Sequence, residues 1–506
     1  APARSHQASV FFSLLKEVDK QFGLSVRVQA CREGPHALDG THIRKPVAFS
    51  ELPLNRIAYW ASFEIRRAFK AYKAFNGNWG AARQGLATAD DFRFVRLAWE
   101  CPPRNMASSR EATLISGDSA ANRWVYFSKG GEYSPYFQDF HLAIDWANDG
   151  RCLKAFSGSV IRNPAFYFRP ALTYTERTAS GFSPRVASPG CVFGHVGPLL
   201  APNDDNDLLP LLGVFMSRVV AYFIELMVES ADASTSGSAA RHYYQNIVGA
   251  VPIPEMTDGT KDLLGQLVDS TWRAKQELDA LCETSRFYQG PFVVNGHHRS
   301  LVAAATALTS AKDSTYLKIL RWTWEIEQSV RQSYGLREQA VKEIDEEFGV
   351  HPNTLPSADV DEAAVRAALG TPVEQLIDDA VSNGSGSRAI TKKVYFADRQ
   401  LELLAARFNV HPVTIAGLRV EMALVSPDDL KETALDVLSF ALGCAVGRWD
   451  VRLAERSGLS SRLPGPMAPI PLCPPASLVG PDGLPAEPSH IVSEEWLRGQ
   501  AVRADE

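Results

Sequence analysis

Seven cysteines are scattered through 506 residues, at positions 31, 101, 152, 191, 282, 444 and 473, with no Cys-x-x-Cys pair and no histidine at ligand spacing beside them. That excludes a disulfide scaffold, gives no zinc or other metal site, and points to a reducing, cytoplasmic compartment. No apolar run is free of breakers and charge. The longest, Leu208 to Val228, contains Pro210, Arg218 and Glu225 and reads as a buried helix, not a membrane span. No hydrophobic signal segment follows the first residue, which is Ala. The Gly-rich stretches carry Lys, Glu, Tyr and Pro and lack the strand, Gly-x-Gly, helix context of a nucleotide loop, so no cofactor pocket is assigned. A Pro-Asp…Asp/Glu-x-Lys nuclease arrangement is also missing.

What is present is core material and an uneven charge. Hydrophobic residues make up 45% and aromatics 10% of the chain, enough for substantial cores in two to four domains. Net charge is −6. Residues 41–200 nevertheless hold 20 Lys plus Arg against 12 Asp plus Glu, a local +8 that leaves −14 for the remainder. A basic region of this kind suits phosphate neutralisation, which makes affinity for nucleic acid steeply salt-dependent.

Periodicity predicts an α+β chain, with a β-rich domain carrying inserted helices, then a mainly α-helical domain, then a Pro-rich tail. Residues 1–50 are mixed, with an amphipathic helix expected near Ser9 to Phe22 and a strand at Leu24 to Gln29. Residues 51–256 hold β-branched and aromatic runs between Gly and Pro clusters. Strands are expected at Phe92 to Leu97, Trp124 to Phe127, His141 to Trp146, Ala165 to Arg169 and Cys191 to Phe193. Helices are expected at Ala61 to Lys73, Leu208 to Glu229 and Ala239 to Asn246. Residues 257–460 read as helices at Asp262 to Arg286, Asp313 to Tyr334, Arg337 to Phe348, Ala363 to Leu369, Val373 to Val381, Lys393 to Phe408 and Lys431 to Arg448. The text E-E-F-G-V-H-P-N-T-L at 346–355 is echoed by A-R-F-N-V-H-P-V-T-I at 406–415. Gly349 and Asn409 suit a left-handed cap and Pro stops each helix, so His351 and His411 read as structural. The tail, 461–506, contains P-G-P-M-A-P-I-P-L-C-P-P and is expected to be extended or weakly ordered, without chemistry.

The densest motifs lie between 83 and 198: R-Q-G-L-A-T-A-D-D-F-R-F-V-R, S-K-G-G-E-Y-S-P-Y-F, G-S-V-I-R-N-P-A-F-Y-F-R-P, R-T-A-S-G-F-S-P-R-V and G-C-V-F-G-H-V-G-P. Together they resemble the target-recognition region of large adenine-specific DNA methyltransferases, the group of the phage-exclusion (BREX-type), TaqI-like and type IIG restriction-modification enzymes. Leu52 to Phe69 looks like the bridge that leaves the catalytic domain in those enzymes. L-D-A-L-C-E-T-S-R-F-Y-Q-G-P-F (278–292) and A-L-D-V-L-S-F-A-L-G-C-A-V-G-R-W-D-V-R (434–452) resemble segments that follow the recognition domain. Matching text runs from about Leu52 to Arg452. The methylation motifs are missing: Asn163-Pro164-Ala165-Phe166 is the nearest approach to Asn-Pro-Pro-aromatic, lacks the second proline, and reads as an ordinary loop.

No catalytic residue is assigned. DNA-contact candidates are Arg83, Gln84 and Thr88 around one glycine turn, and Lys129, Tyr133 and Tyr136 around a Gly-Gly pair. Arg162, Arg169, Arg177 and Arg185 follow as a stripe, with His195 between glycines. Lys, Arg, hydroxyls and Gly-rich backbone suit phosphates, while Arg and Gln suit base edges. The family's common T-G-D-N is T-A-D-D here, so Ala89 restricts the turn and Asp91 adds negative charge where a phosphate would sit.

The resemblance implies the C-terminal specificity portion of a larger enzyme that transfers methyl from S-adenosylmethionine to the adenine amine. Residues 1–50 would be the remnant after a missing catalytic domain. The implied partners are double-stranded DNA, that catalytic domain and other defence-system proteins, and the fragment alone is expected to methylate nothing. A stand-alone specificity subunit and a non-catalytic scaffold of an anti-phage complex are the alternatives.

Overall fold

The apolar stretch after residue 205 is too strongly interrupted to run as one rod. Ser217 leaves the helical conformation (ψ 150°), donates its hydroxyl to the Val214 carbonyl at 2.7 Å and accepts the Val220 amide at 3.2 Å. It thereby stops one helix, Leu208–Met216, and caps the next, Arg218–Met227. The two are bent by 71°. Nearly all their side chains are buried, so the stretch is protein core; no single described helix is long and apolar enough to cross a membrane. Glu229 lies outside the described residues.

The structure, a computed structural model, describes residues 7–14, 17–34, 38, 40–53, 56–115, 121–228, 240–292, 298, 300–369, 371, 375–376, 399–421, 425, 427–454 and 463–478.

The architecture is mixed α+β, as the periodicity implies. Two four-stranded sheets dominate the first half. One is antiparallel, with β4 (Gly80–Arg83), β8 (Ala171–Thr173), β10 (Arg185–Ala187) and β12 (Leu199–Pro202) in the order β10-β8-β12-β4. The other, β11-β6-β7-β5, joins β5 (Val95–Leu97), β6 (Trp124–Ser128), β7 (Leu142–Asp145) and β11 (Cys191–Phe193), with β11 parallel to β6. Helices Asp258–Asp279, Leu301–Ser333 and Glu338–Phe348 pack against the bent pair. One hydrophobic core therefore runs from Leu52 through Phe193, Phe215 and Trp272 to Phe348. A satellite core gathers Val365, Leu401, Leu404 and Ile415.

Several expected elements differ. Leu24 to Gln29 belongs to a helix, Lys20–Glu33, capped by Asp19, whose carboxylate accepts the Phe22 amide at 2.9 Å. The alternation of Leu24, Val26 and Val28 misleads because the helix is largely exposed and its pattern is not set by a core. Ser9 starts a strand (β1, Ser9–Phe12) paired with Thr41–Arg44 (β2), not a helix. Ala165 to Arg169 is a turn that opens on Pro164, with Phe168 at φ 67°. Asp90 caps a helical turn over Asp91–Phe94 and shortens the next strand to Val95–Leu97. Arg241–His242 pairs with Arg177–Thr178, and only Gln245–Gly249 is helical there; Ala239 is outside the described residues. The predicted Val373 to Val381 helix falls almost wholly outside them. Within the Pro-rich tail, 463–478 forms a strap: Ser188, Gln276 and Tyr126 donate to the carbonyls of Pro466, Pro464 and Pro471 at 3.0, 3.0 and 2.6 Å, and Ile470 is buried in the main core.

The repeated Val-His-Pro text is a stop and a start together. Gly349 and Asn409 take positive φ (76° and 53°), while His351 and His411 accept the amides of Asn353 and Val413 at 3.2 and 3.1 Å. The two copies meet, His411 Nε2 lying 3.3 Å from the Asn353 side-chain oxygen. Both imidazoles are held below their ordinary pKa, mainly by burial.

Candidate nucleic-acid interface

Register brings six of the sequence-derived candidates to one end of the two sheets. Leu199 of β12 faces both Thr173 of β8 and Arg83 of β4, so the loops after Arg83 and after Thr173 and the loop before Leu199 share one end of the first sheet. Phe193 pairs with Ser128 in the second sheet, so the loops at 129–131 and 194–197 leave at that same end. Backbone hydrogen bonds tie these loops together: Gly194 to Ser128 at 2.8 Å, His195 to Leu86 at 2.8 Å and Glu176 to Val196 at 3.0 Å. The approach requires glycine. A Cβ on Gly85 would lie 1.8 Å from the Phe193 carbonyl oxygen, and one on Gly197 2.4 Å from the Gly130 amide.

Six candidates meet here, and a seventh stands close. Arg83 and Arg162 are exposed, and the Arg162 guanidinium donates to the Gln84 side-chain oxygen. Asn163 donates to the Gln84 carbonyl at 2.8 Å and fixes the loop. Thr88 is buried and donates to Asp91 at 2.5 Å, while the Lys129 ammonium donates to the other Asp91 oxygen. Burial pushes the Asp91 carboxyl up, but the bonds from Lys129 and Thr88, with His195 nearby, outweigh it and hold the group below its ordinary value. His195 is half-buried. Arg177, exposed on β9 (Arg177–Thr178), follows Glu176 directly. Exposed cations, an amide and glycine turns in one place can hold phosphates and reach base edges.

Four candidates are placed elsewhere. Tyr136 and Arg185 are each 1% exposed and belong to the interior. Tyr136 sits at φ 69° with its backbone bonded to Pro184 and Val186, and its ring is surrounded by core. Arg185 donates to the Ser183 carbonyl at 3.1 Å and the Thr175 hydroxyl at 3.2 Å. Arg169 pairs with Asp205 at 3.4 Å at the opposite end of the sheet, two residues before β8 begins. Tyr133 lines a cavity with Phe182, Met216 and Tyr243 beside the Ser217 bend. Thr175 is the contributor that sequence reasoning misses. Its hydroxyl links Arg185 to the Gly131 carbonyl, at 2.9 Å, and nothing in L-T-Y-T-E-R marks it.

The loop nearest to a methylation motif, 163–166, is engaged within the protein. Asn163 is spent on Gln84, and the Pro164 carbonyl accepts from Arg110 at 2.5 Å. The cavity beside Tyr133 leaves about 20 Å³ of water-sized space, and a second, beside Phe137 and Trp272, about 10 Å³. Each is room for roughly one water. Among the described residues no cluster of three His, Cys, Asp or Glu side chains could hold a metal ion.

The fold and this loop cluster define a mixed α+β chain with a cationic, glycine-shaped end, and its similarities are to adenine-specific methyltransferases. No protein-family model matches the chain. It is 26% identical over 196 residues to the adenine-specific methyltransferase PglX of Lacticaseibacillus casei (strain Zhang), a match covering 37% of this chain and 16% of that protein. To the adenine-specific methyltransferase BrxX of Escherichia coli O9:H4 (strain HS) it is 27% identical over 189 residues, covering 37% and 15%. The matched part is thus about one sixth of the relatives' length.

Proposed function

We propose that this chain is the sequence-specific DNA recognition portion, residues 51–256, followed by the helical portion, residues 257–460, of an adenine-specific DNA methyltransferase in a restriction-modification or phage-defence system. The whole enzyme would take methyl from S-adenosylmethionine, bound by a catalytic domain other than the residues described here, and place it on the exocyclic amine of adenine. Double-stranded DNA and that catalytic domain are the partners. The observation that carries the reading is the convergence of Arg83, Gln84, Lys129, Arg162 and His195, drawn from separate stretches of sequence, onto one end of two sheets. The similarity to named adenine-specific methyltransferases supports it. Cations there would neutralise phosphates, and Arg83, Gln84 or Arg162 would reach into the major groove.

The test is selection from a random duplex pool by the purified chain across a salt series, followed by sequencing of the retained DNA. One enriched adenine-containing motif, with retention falling steeply as salt rises, is the expected result. No retention at any salt would contradict the reading.

A second reading, a scaffold that binds partner proteins, is favoured by one observation. Leu435, Leu438, Leu442 and Val446, on and just past the Pro427–Ala445 helix, are 53 to 79% exposed at helical spacing. The two readings are compatible if this stripe contacts a defence-system partner while the sheets contact DNA.

A further inference from the structure

Asp91 places a carboxylate among donors that would serve an outside anion equally well. Oδ1 accepts from the Thr88 hydroxyl at 2.5 Å, Oδ2 accepts from the Lys129 ammonium, and His195 adds to the positive field. Lys129 and His195 come from loops other than the one that carries Thr88 and Asp91, and those loops are locked together by the Gly194–Ser128 and His195–Leu86 backbone bonds. The pair is within reach of solvent, Asp91 at 48% and Lys129 at 24% side-chain exposure.

A second observation lies beneath. Arg185 is buried and forms no ion pair with any described carboxylate; its Nε has no hydrogen-bond partner. Its guanidinium acts on the surface through Thr175, whose hydroxyl holds the Gly131 carbonyl in the Lys129 turn. A positive charge kept uncompensated in the interior is costly unless an anion lies near.

We propose that Thr88, Lys129 and His195 form a phosphodiester-binding site at the DNA-reading end, and that Asp91 is its internal occupant, a carboxylate displaced when the backbone of a duplex docks. The proposal rests on the DNA-recognition reading. A partly exposed ion pair contributes little, so a duplex making many contacts can break it. Stray phosphates, making one contact, gain nothing by the exchange. Asp91 therefore suppresses non-specific binding and raises the ratio of specific to non-specific affinity.

The ion accounting provides the test. A Lys129–Asp91 pair brings no net charge to the DNA: the phosphate that meets Lys129 releases a counter-ion, and the freed Asp91 carboxylate beside it takes one up, so the unaltered chain shows no net release from this site. Each added phosphate neutralisation changes the slope of log K against log salt by about −0.9. Binding of a mixed-sequence duplex to the full chain would be measured across a potassium chloride series for the parent, Asp91→Asn, and Asp91→Asn with Lys129→Ala, with thermal melts to confirm folding. Expected are several-fold tighter binding by Asp91→Asn at low salt, a slope steeper by about 0.9, and return to the parent slope in the double variant. An Asp91→Asn protein with the parent's slope and affinity would overturn the proposal while leaving DNA recognition intact. Weaker binding by Asp91→Asn would also overturn it, making Asp91 a direct contact that accepts from a base amine. Failure of the folded parent to bind at all would instead overturn the DNA reading, and this proposal with it.

Discussion

The guanidinium of Arg185 donates to the Thr175 hydroxyl at 3.2 Å, and that hydroxyl donates in turn to the Gly131 carbonyl at 2.9 Å. A residue expected from the sequence to touch DNA thus shapes the Lys129–Gly131 turn from below. Burial alone pushes its guanidinium down to about 10. Replacing a buried, unpaired charge by an apolar side chain of similar length is often neutral or stabilising. Arg185→Met should therefore unfold within about 1 kcal/mol of the parent, or above it, while binding duplex more weakly because the Lys129 turn loosens. Chemical denaturation together with duplex binding checks both halves; a loss of stability greater than about 3 kcal/mol would make Arg185 a structural anchor instead.

Ala89 holds φ 60° in the Thr88–Asp91 turn, where the resembled family has glycine. A left-handed alanine is strained by about 1 kcal/mol. Ala89→Gly should raise the unfolding free energy by roughly that amount, less the extra entropy glycine brings to the unfolded chain. An unchanged or lowered denaturation midpoint would show that the turn does not sit in this conformation.

The fold's pH dependence should centre on Asp139. Burial, with a smaller contribution from Asp279, raises its carboxyl to about 7, although it accepts the Arg286 amide at 2.9 Å. An acid whose folded pKa is raised binds more protons folded than unfolded, so its contribution to stability is fully present below about 4 and is lost as pH climbs to about 7. Across that window the loss is on the order of 4 kcal/mol. Asp139→Asn should remove this part of the slope, gaining on the parent as pH rises from about 4.5 to about 7.5 in parallel urea titrations. Parallel curves for the two proteins would contradict the assignment.

Glu327 is the acceptor at the centre of the helical packing. It takes the Arg218 amide at 2.8 Å and the Arg331 guanidinium at 2.6 Å, and Arg331 also donates to Asp345 at 2.6 Å. Glu327→Ala leaves buried donors without their acceptor and should cost about 3–5 kcal/mol. The measurement is the urea midpoint. A shift equivalent to less than about 1 kcal/mol would mean that Asp345 alone suffices.

Residue patterns reveal some of this and conceal the rest for identifiable reasons. The α+β class and helices such as Phe63–Ala71 and Glu338–Phe348 follow from periodicity, because one face of each meets the core. Helix Lys20–Glu33 is hidden because it is mostly exposed and Leu24, Val26 and Val28 obey no burial pattern. At the interface, glycine and cation motifs mark Arg83, Lys129, Arg162 and His195. Whether an arginine points outward depends on strand register, which local text does not encode. Register puts Arg185 inside, opposite Thr173, and Arg169 at the far end beside Asp205. Thr175 is invisible in the sequence because its role consists entirely of two long-range hydrogen bonds.

The geometry of the two sheet ends supplies the most direct test of the central claim. Arg83 and Arg162 stand at the loop cluster, Arg169 at the other end, and all three are exposed. Duplex binding across a salt series would be compared for Arg83→Ala, Arg162→Ala and Arg169→Ala. The account predicts that the first two weaken binding and flatten the salt slope by up to about 0.9 each, while Arg169→Ala binds as the parent does. Equal losses from both ends, or a loss confined to Arg169→Ala, would contradict it.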